Sequence, residues 1–364
     1  MLKNKKSFIC FPLYPPLELL HSFGFLPETL WTFHEQFNTT AESDKHVQDF
    51  ACGIARQLTH FLLSTPEKEI SGLLTYNACD TLRNLPEIIQ YGVQAKNSSL
   101  PWFKMHIPMR PFDQEYVENY LKQEIDQLIE KIMFHYDISF SIKSFKQSVE
   151  VFRTYRNLME KVEDLIAQGK ALFSDYIQLL FKDFPVSLSE KIDALEDFYE
   201  IHRNKEPLSL NPGKKRIAIS GILSPPIEII REMEQNNLRI VTNDLACLKR
   251  ANAYTPSSEN FTTPADYYYL FYKHHFPCTT LLYTAEDRFN RLEKLFQEKS
   301  IHGLIFIGEK FCEYEYFEIP SMENYFKSQG YKTLNLEISQ DTRQNQSFQS
   351  IKTRIETFSE ILQK

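Results

Sequence analysis

The stretch Gly303-Leu-Ile-Phe-Ile-Gly-Glu-Lys-Phe-Cys312 constrains the fold more than any other. Four apolar residues, Leu304 to Ile307, stand between two glycines. A short unbroken apolar run of this kind predicts a strand buried on both faces, as found inside a parallel sheet. In open α/β sheets, ligands and chemistry gather beyond the carboxyl ends of such strands. Cys312 follows directly, so its thiolate is placed to act as a ligand or a nucleophile.

The rest of the chain supplies partners for that strand. Ser7 to Phe11 reads as a first strand ended by proline, and Pro15-Pro16 to Gly24 as a helix opened by proline and closed by glycine. Asn38 to Lys45 is small and polar, a loop. Val47 to Leu63 has a helical pattern with Cys52 near its start, and Ile70 to Asn77 is a strand followed at once by Cys79-Asp80. Trp102 to Ile107 is another strand, stopped by Pro108. Strand and helix alternate, which implies a parallel sheet.

From Asp113 to Arg203 no strand candidate of any strength occurs. Phe112-Asp113 reads as a hydrophobic staple and N-cap with Val117 as the staple's partner. Val117, Leu121, Ile125, Leu128, Ile129 and Ile132 form one helical face, and the periodicity continues through Phe145, Val149, Phe152 and Leu158 and again from Leu188 to Tyr199. The many aromatic residues here read as packing.

Asn211-Pro-Gly is a turn at a domain boundary, after which alternation resumes. Arg216 to Gly221 and Arg239 to Asp244 are strands, the second followed by Cys247. Between them Ser224-Pro-Pro caps a helix from Ile227 to Gln235, leaving backbone N–H groups at a strand-to-helix turn where a phosphate or carboxylate can sit. The spacing is not a nucleotide fingerprint. Pro264 to His275 and Asp287 to Glu298 are helical, Lys332 to Glu337 is a final strand, and Ile351, Ile355, Phe358 and Leu362 line a closing helix. The expected fold is therefore α/β. Residues 1–112 form an N-terminal α/β domain, 113–210 a helical domain, and 211–364 a C-terminal α/β domain.

Composition narrows the function. A net charge of -7 with no Lys/Arg run argues against nucleic acid. Prolines 12, 15 and 16 break the only apolar stretch near the start, and no apolar run is long enough to span a bilayer, so neither a signal peptide nor a membrane role is expected and the cytoplasm is. In that compartment six cysteines do not suggest disulfides. There is no CxxC pair, and a cysteine taken alone is most often a small buried hydrophobe. His274-His275 reads as structural, since adjacent histidines on a helix point in different directions. The acidic run Glu313, Glu315 and Glu318 reads as a solvated face.

Taken in order, Pro15-Pro-Leu-Glu-Leu, Cys52, Cys79-Asp80, Arg216-Ile-Ala-Ile-Ser-Gly, Asn243-Asp-Leu-Ala-Cys, the Gly303–Cys312 stretch, Leu336-Glu-Ile-Ser and Lys352 to Glu360 resemble the 2-hydroxyacyl-CoA dehydratase family, which includes benzoyl-CoA reductase subunits and double-cubane reductases. The resemblance covers nearly the whole chain. It implies two Rossmann- or flavodoxin-like parallel-sheet domains with a helical domain, and a four-iron–four-sulfur (4Fe-4S) cluster held between the α/β domains. By position its ligands are Cys52, Cys79 and Cys312. The implied reaction is removal of water from a 2-hydroxyacyl-CoA through a ketyl radical. An ATP-hydrolysing iron–sulfur activator supplies the electron, and the partner is a related sister subunit or a second copy. Two other readings remain: a benzoyl-CoA reductase-type or double-cubane ATP-coupled reductase subunit, with Cys247 and Cys278 as further ligands, and a cluster-less, non-catalytic partner subunit.

Overall fold

The computed structural model describes residues 7–31, 40–64, 70–94, 100–181, 187–207, 214–281, 285–339 and 348–364. The Asn211-Pro-Gly turn lies outside these described residues. The chain divides into two compact units: Met1–Thr154 with Ala253–Tyr283, and Tyr155–Asn252 with Thr284–Lys364.

The first unit opens with β1 (Ser7–Cys10), α1 (Leu17–Ser22) and β2 (Leu26–Thr29). It continues through α2 (Gly53–Ser64), β3 (Gly72–Tyr76), α3 (Asp80–Gln94), β4 (Trp102–Met105), α4 (Glu115–Tyr136) and the start of α5 (Ile142–Gln168). Its four strands form an all-parallel sheet in the order β2-β1-β3-β4. The central strands β1 and β3 are buried along their whole length, as parallel strands covered on both faces must be. β2 holds Pro27, tolerated because the strand lies at the sheet's edge.

Two expected boundaries move. α2 begins at Gly53, not at Val47. The buried Arg56 guanidinium gathers the preceding turns by donating to the Gln48 carbonyl (3.2 Å) and to the Asp44 (2.6 Å) and Asp49 (3.1 Å) carboxylates, so these residues find partners outside a helix. α4 begins at Glu115 with Gln114 as its cap, because the Asp113 carboxylate accepts from the Gln114 side chain (3.1 Å) instead of capping. The apolar face from Val117 to Ile132 is buried as its spacing requires.

The second unit takes the rest of α5, then α6 (Phe173–Phe181), α7 (Leu188–Arg203), β5 (Lys215–Gly221), α8 (Ile227–Gln235) and β6 (Leu238–Leu245), with a π turn at Ala246–Arg250. After α9 (Pro264–Lys273), which belongs to the first unit and packs on α4, come α10 (Ala285–Glu298), β7 (Gly303–Glu309), α11 (Glu313–Ser328), β8 (Lys332–Ile338) and α12 (Phe348–Gln363). The sheet is again all parallel, in the order β6-β5-β7-β8. β7 is buried at every position. Capping boxes start α7 at Ser187/Glu190 and α9 at Thr263/Asp266. Ser224 does not cap α8; Pro226 holds that position, and the Ser224 hydroxyl donates to the Pro225 carbonyl (3.2 Å).

Both sheets thus place their second strand outside their first and their third on its other side. This is the flavodoxin-like order over four strands, and it puts a topological switch point between the first and third strands of each. No helix among the described residues is long and apolar enough to cross a membrane.

Candidate functional site

At the first unit's switch point, β3 ends at Tyr76 and Cys79 starts α3. The Cys79 carbonyl accepts from Arg83 N–H (2.8 Å), and its sulfur accepts from Leu82 N–H (3.3 Å). The thiol therefore sits over the open amides of a helix start, which favour negative charge. Cys52 takes the same place at α2, its carbonyl accepting from Arg56 N–H (3.2 Å). α2 is the crossover helix between the parallel strands β2 and β3 and therefore runs antiparallel to them, so both helix starts lie toward the carboxyl edge of this sheet.

Tyrosines hold the loop after β1 and the first turn of α1. Tyr267 and Tyr268 on α9 each donate to the buried Glu18 carboxylate (2.9 Å each), Tyr272 donates to the Tyr14 carbonyl (2.7 Å), and Tyr76 to the Pro12 carbonyl (3.0 Å). Burial pushes the Tyr76 hydroxyl well up, with the nearby Tyr272, Cys278 and Cys79 adding to it. His275 is buried; its Nδ1 bonds to the Phe276 carbonyl (2.7 Å) and its ring packs on Tyr14, a structural role.

At the second unit's switch point, Cys312 is the N-cap of α11, and its carbonyl accepts from Tyr316 N–H (3.1 Å). One turn on, Glu315 turns inward. Its carboxylate accepts from Ile222 N–H (2.6 Å), just past β5, and from Glu309 N–H (2.8 Å) at the end of β7, strapping the two strand ends together. The strand-to-helix turn after β5 thus does hold a carboxylate, one from this chain. Burial pushes the Glu315 carboxyl up to about 7, against the two N–H donors and the Arg250 and Arg288 charges.

Beneath the strap lies a buried ionic network. Arg288 reaches Asp244 (2.6 Å) and Glu318, Ser220 donates to Asp244 (2.8 Å), and Arg250 donates to the Gly221 carbonyl and stands 3.5 Å from Asp244. The acidic run is therefore not a solvated face: Glu313 is exposed, but Glu315 and Glu318, spaced i,i+3, point to the interior where two arginines await them. Spacing alone could have shown that face; the arginines, distant in sequence, could not be seen.

Cys247 lies in the same region, its N–H donating to the Ile222 carbonyl (3.0 Å), and burial pushes its thiol up to about 12. Cys10, inside β1, is likewise pushed well up by burial. Cys278 is buried, its sulfur 3.3 Å from the Thr280 hydroxyl.

The three cysteines singled out by sequence divide as two in the first unit and one in the second. Among the described residues, no group of three or more His, Cys, Asp or Glu side chains is gathered to hold a metal ion. The donor chemistry suits an iron–sulfur group all the same: three thiols, each opening a helix whose free amides favour thiolate and sulfide charge.

A family profile described as 2-hydroxyglutaryl-CoA dehydratase, D-component, matches residues 12–362. The chain belongs to this family. It is 22% identical over 366 residues to the (R)-phenyllactyl-CoA dehydratase beta subunit of Clostridium sporogenes, covering 99% of this chain and 92% of that one. It is 24% identical over 372 residues to the beta subunit of (R)-2-hydroxyglutaryl-CoA dehydratase of Acidaminococcus fermentans, covering 99% and 93%. It is also 22% identical over 334 residues to one of the subunits of the benzoyl-CoA reductase of Thauera aromatica, covering 88% and 82%. The D-component match supports a subunit of the 2-hydroxyacyl-CoA dehydratase type.

Proposed function

We propose that this chain is the iron–sulfur subunit of a 2-hydroxyacyl-CoA dehydratase-type enzyme, a lyase that removes water from a 2-hydroxyacyl-CoA by a radical route after one-electron activation by an ATP-hydrolysing partner. One observation carries the reading: in a chain matched by the family almost end to end, Cys52, Cys79 and Cys312 each supply the carbonyl that starts a helix. A 4Fe-4S cluster held by these three would supply one-electron redox capacity and an iron able to polarise an oxygen. The chain's own residues do the positioning. Leu82 N–H orients the Cys79 sulfur, and the Glu315 strap fixes the β5 and β7 ends from which Cys312 projects. The relatives' standing as beta subunits supports a related sister subunit as partner, and the proposed setting of the enzyme is the cytoplasm.

Anaerobic purification with iron, sulfide and electron paramagnetic analysis tests this. About four irons per chain are expected for one cubane, and Cys52→Ser, Cys79→Ser or Cys312→Ser should each lower that content sharply. A folded, colourless, iron-free protein would sink the proposal in favour of a non-catalytic partner. The likeness to a benzoyl-CoA reductase subunit supports a second reading, an ATP-coupled reductase. Iron lost on Cys247→Ser or Cys278→Ser would favour its double-cubane form.

A further inference from the structure

At the amino edge of the second sheet, opposite the Cys312 end, a cavity of about 80 Å3 is lined by Lys214, Arg216, Glu234 and Arg239 together with the turn from Gly169 to Phe173. That is several times the roughly 10–15 Å3 one water needs, room for a small tetrahedral oxyanion. Arg216 and Arg239 are direct cross-strand partners on β5 and β6, and like charges placed so repel. Burial lowers both guanidinium pKa values, and the nearby Arg216 lowers that of Arg239 further.

Helix capping accounts for only part of this arrangement. Arg216 donates to the carbonyls of Lys299 (2.8 Å) and Ala167 (3.1 Å), and Arg239 to those of Ile166 (3.1 Å) and Ala167 (2.9 Å), closing the end of α5. A guanidinium carries five N–H donors, so most are left over, and no nitrogen of either is sealed from water without a partner. Lys214 adds a third cation. The one acid in the lining, Glu234, accepts from Ser174 N–H (3.1 Å), and its carboxylate is the one group there that would oppose an anion.

We propose that this cavity binds a phosphate-class oxyanion, free or as the phosphoryl group of a larger molecule, at the end of the sheet opposite Cys312. The full chain, purified anaerobically, would be titrated by calorimetry with inorganic phosphate, AMP and ADP, each against potassium chloride at equal ionic strength. Saturable one-site binding of phosphate is expected. Equal affinity for all three assigns a free oxyanion, and tighter binding of AMP or ADP assigns a phosphoryl group. Arg239→Gln should weaken binding at least tenfold and Lys214→Gln, which caps no helix, severalfold. Glu234→Gln should tighten it, a gain that misfolding cannot imitate. No saturable binding beyond chloride, or Lys214→Gln and Glu234→Gln both binding like the parent, would overturn the proposal; iron content is unaffected either way.

Discussion

Arg288→Met tests whether the network under the Cys312 loop holds the second unit together. Arg288 is 2% exposed and bridges Asp244, at 0%, to Glu318, at 11%. Without it Asp244 keeps the Ser220 hydroxyl at 2.8 Å and the more distant Arg250 at 3.5 Å. Glu318 can turn toward water; Asp244 cannot. Breaking a buried pair from one side costs about 3–5 kcal/mol. Methionine refills much of the volume and Glu318 can escape, so the low end, about 3 kcal/mol, is expected. For a unit of this size each kcal/mol lowers Tm by roughly 2–4 °C, a drop of about 6–12 °C on a circular dichroism melt. Adding Asp244→Asn and Glu318→Gln removes the stranded carboxylates while Arg250 keeps its bond to the Gly221 carbonyl, and should recover part of the loss. A loss under about 1 kcal/mol in the single variant, below the range for a broken buried pair, would refute the reasoning. A triple variant no better than the single would show that packing, not charge, was lost.

Gly221 pairs with Ile307, and a Cβ there would strike the Ile307 carbonyl oxygen, backbone that cannot swing aside. Gly221→Ala should spread β5 from β7 at their carboxyl ends, costing about 1–3 kcal/mol and lowering bound iron; unchanged melting and iron would show the approach is looser. Glu315 supplies a pH dependence. Its carboxyl rises from 4.5 to about 7 on folding, so the unfolded chain sheds this proton first and stability falls as pH rises between those values, by up to about 3 kcal/mol. Urea unfolding at pH 5 and pH 8 should show that slope, and Glu315→Gln should flatten it; an unaltered slope would place its origin elsewhere.

The seven strands read from the sequence are all present: the inner ones show as unbroken apolar runs, and the edge strands β4 and β8 by alternation of apolar and polar residues. β2 was invisible: Leu26-Pro-Glu-Thr carries a proline and an acid that only an edge accepts. α3 and α11 were also missed, and for one reason. Each has a proline inside it, Pro86 and Pro320, which reads locally as a break. Cysteine positions were legible because the strands before Cys79 and Cys312 were. Their caps, the Glu315 strap and the Arg288 bridge were not, since each joins residues far apart in sequence and depends on the sheet order.

The two missed helices are counterparts. Each follows the third strand of a four-strand sheet with the same order, each opens on a cysteine, and each has its proline seven or eight residues beyond that cysteine. A proline there cannot donate to the carbonyl four residues back, at Leu82 or Tyr316, so the opening turn of each helix is less tightly tied to the remainder. A thiol on such a turn can adjust its position without displacing the helix body packed on the sheet. Cys247 follows the second strand of its unit and lies within a π turn instead of opening an α-helix; by this reasoning it is no counterpart of either. Under the proposed ligand set, Cys79→Ser and Cys312→Ser remove equivalent ligands, one from each unit, and should cause the same iron loss. A large inequality between them would mean that the shared topology does not translate into shared chemistry.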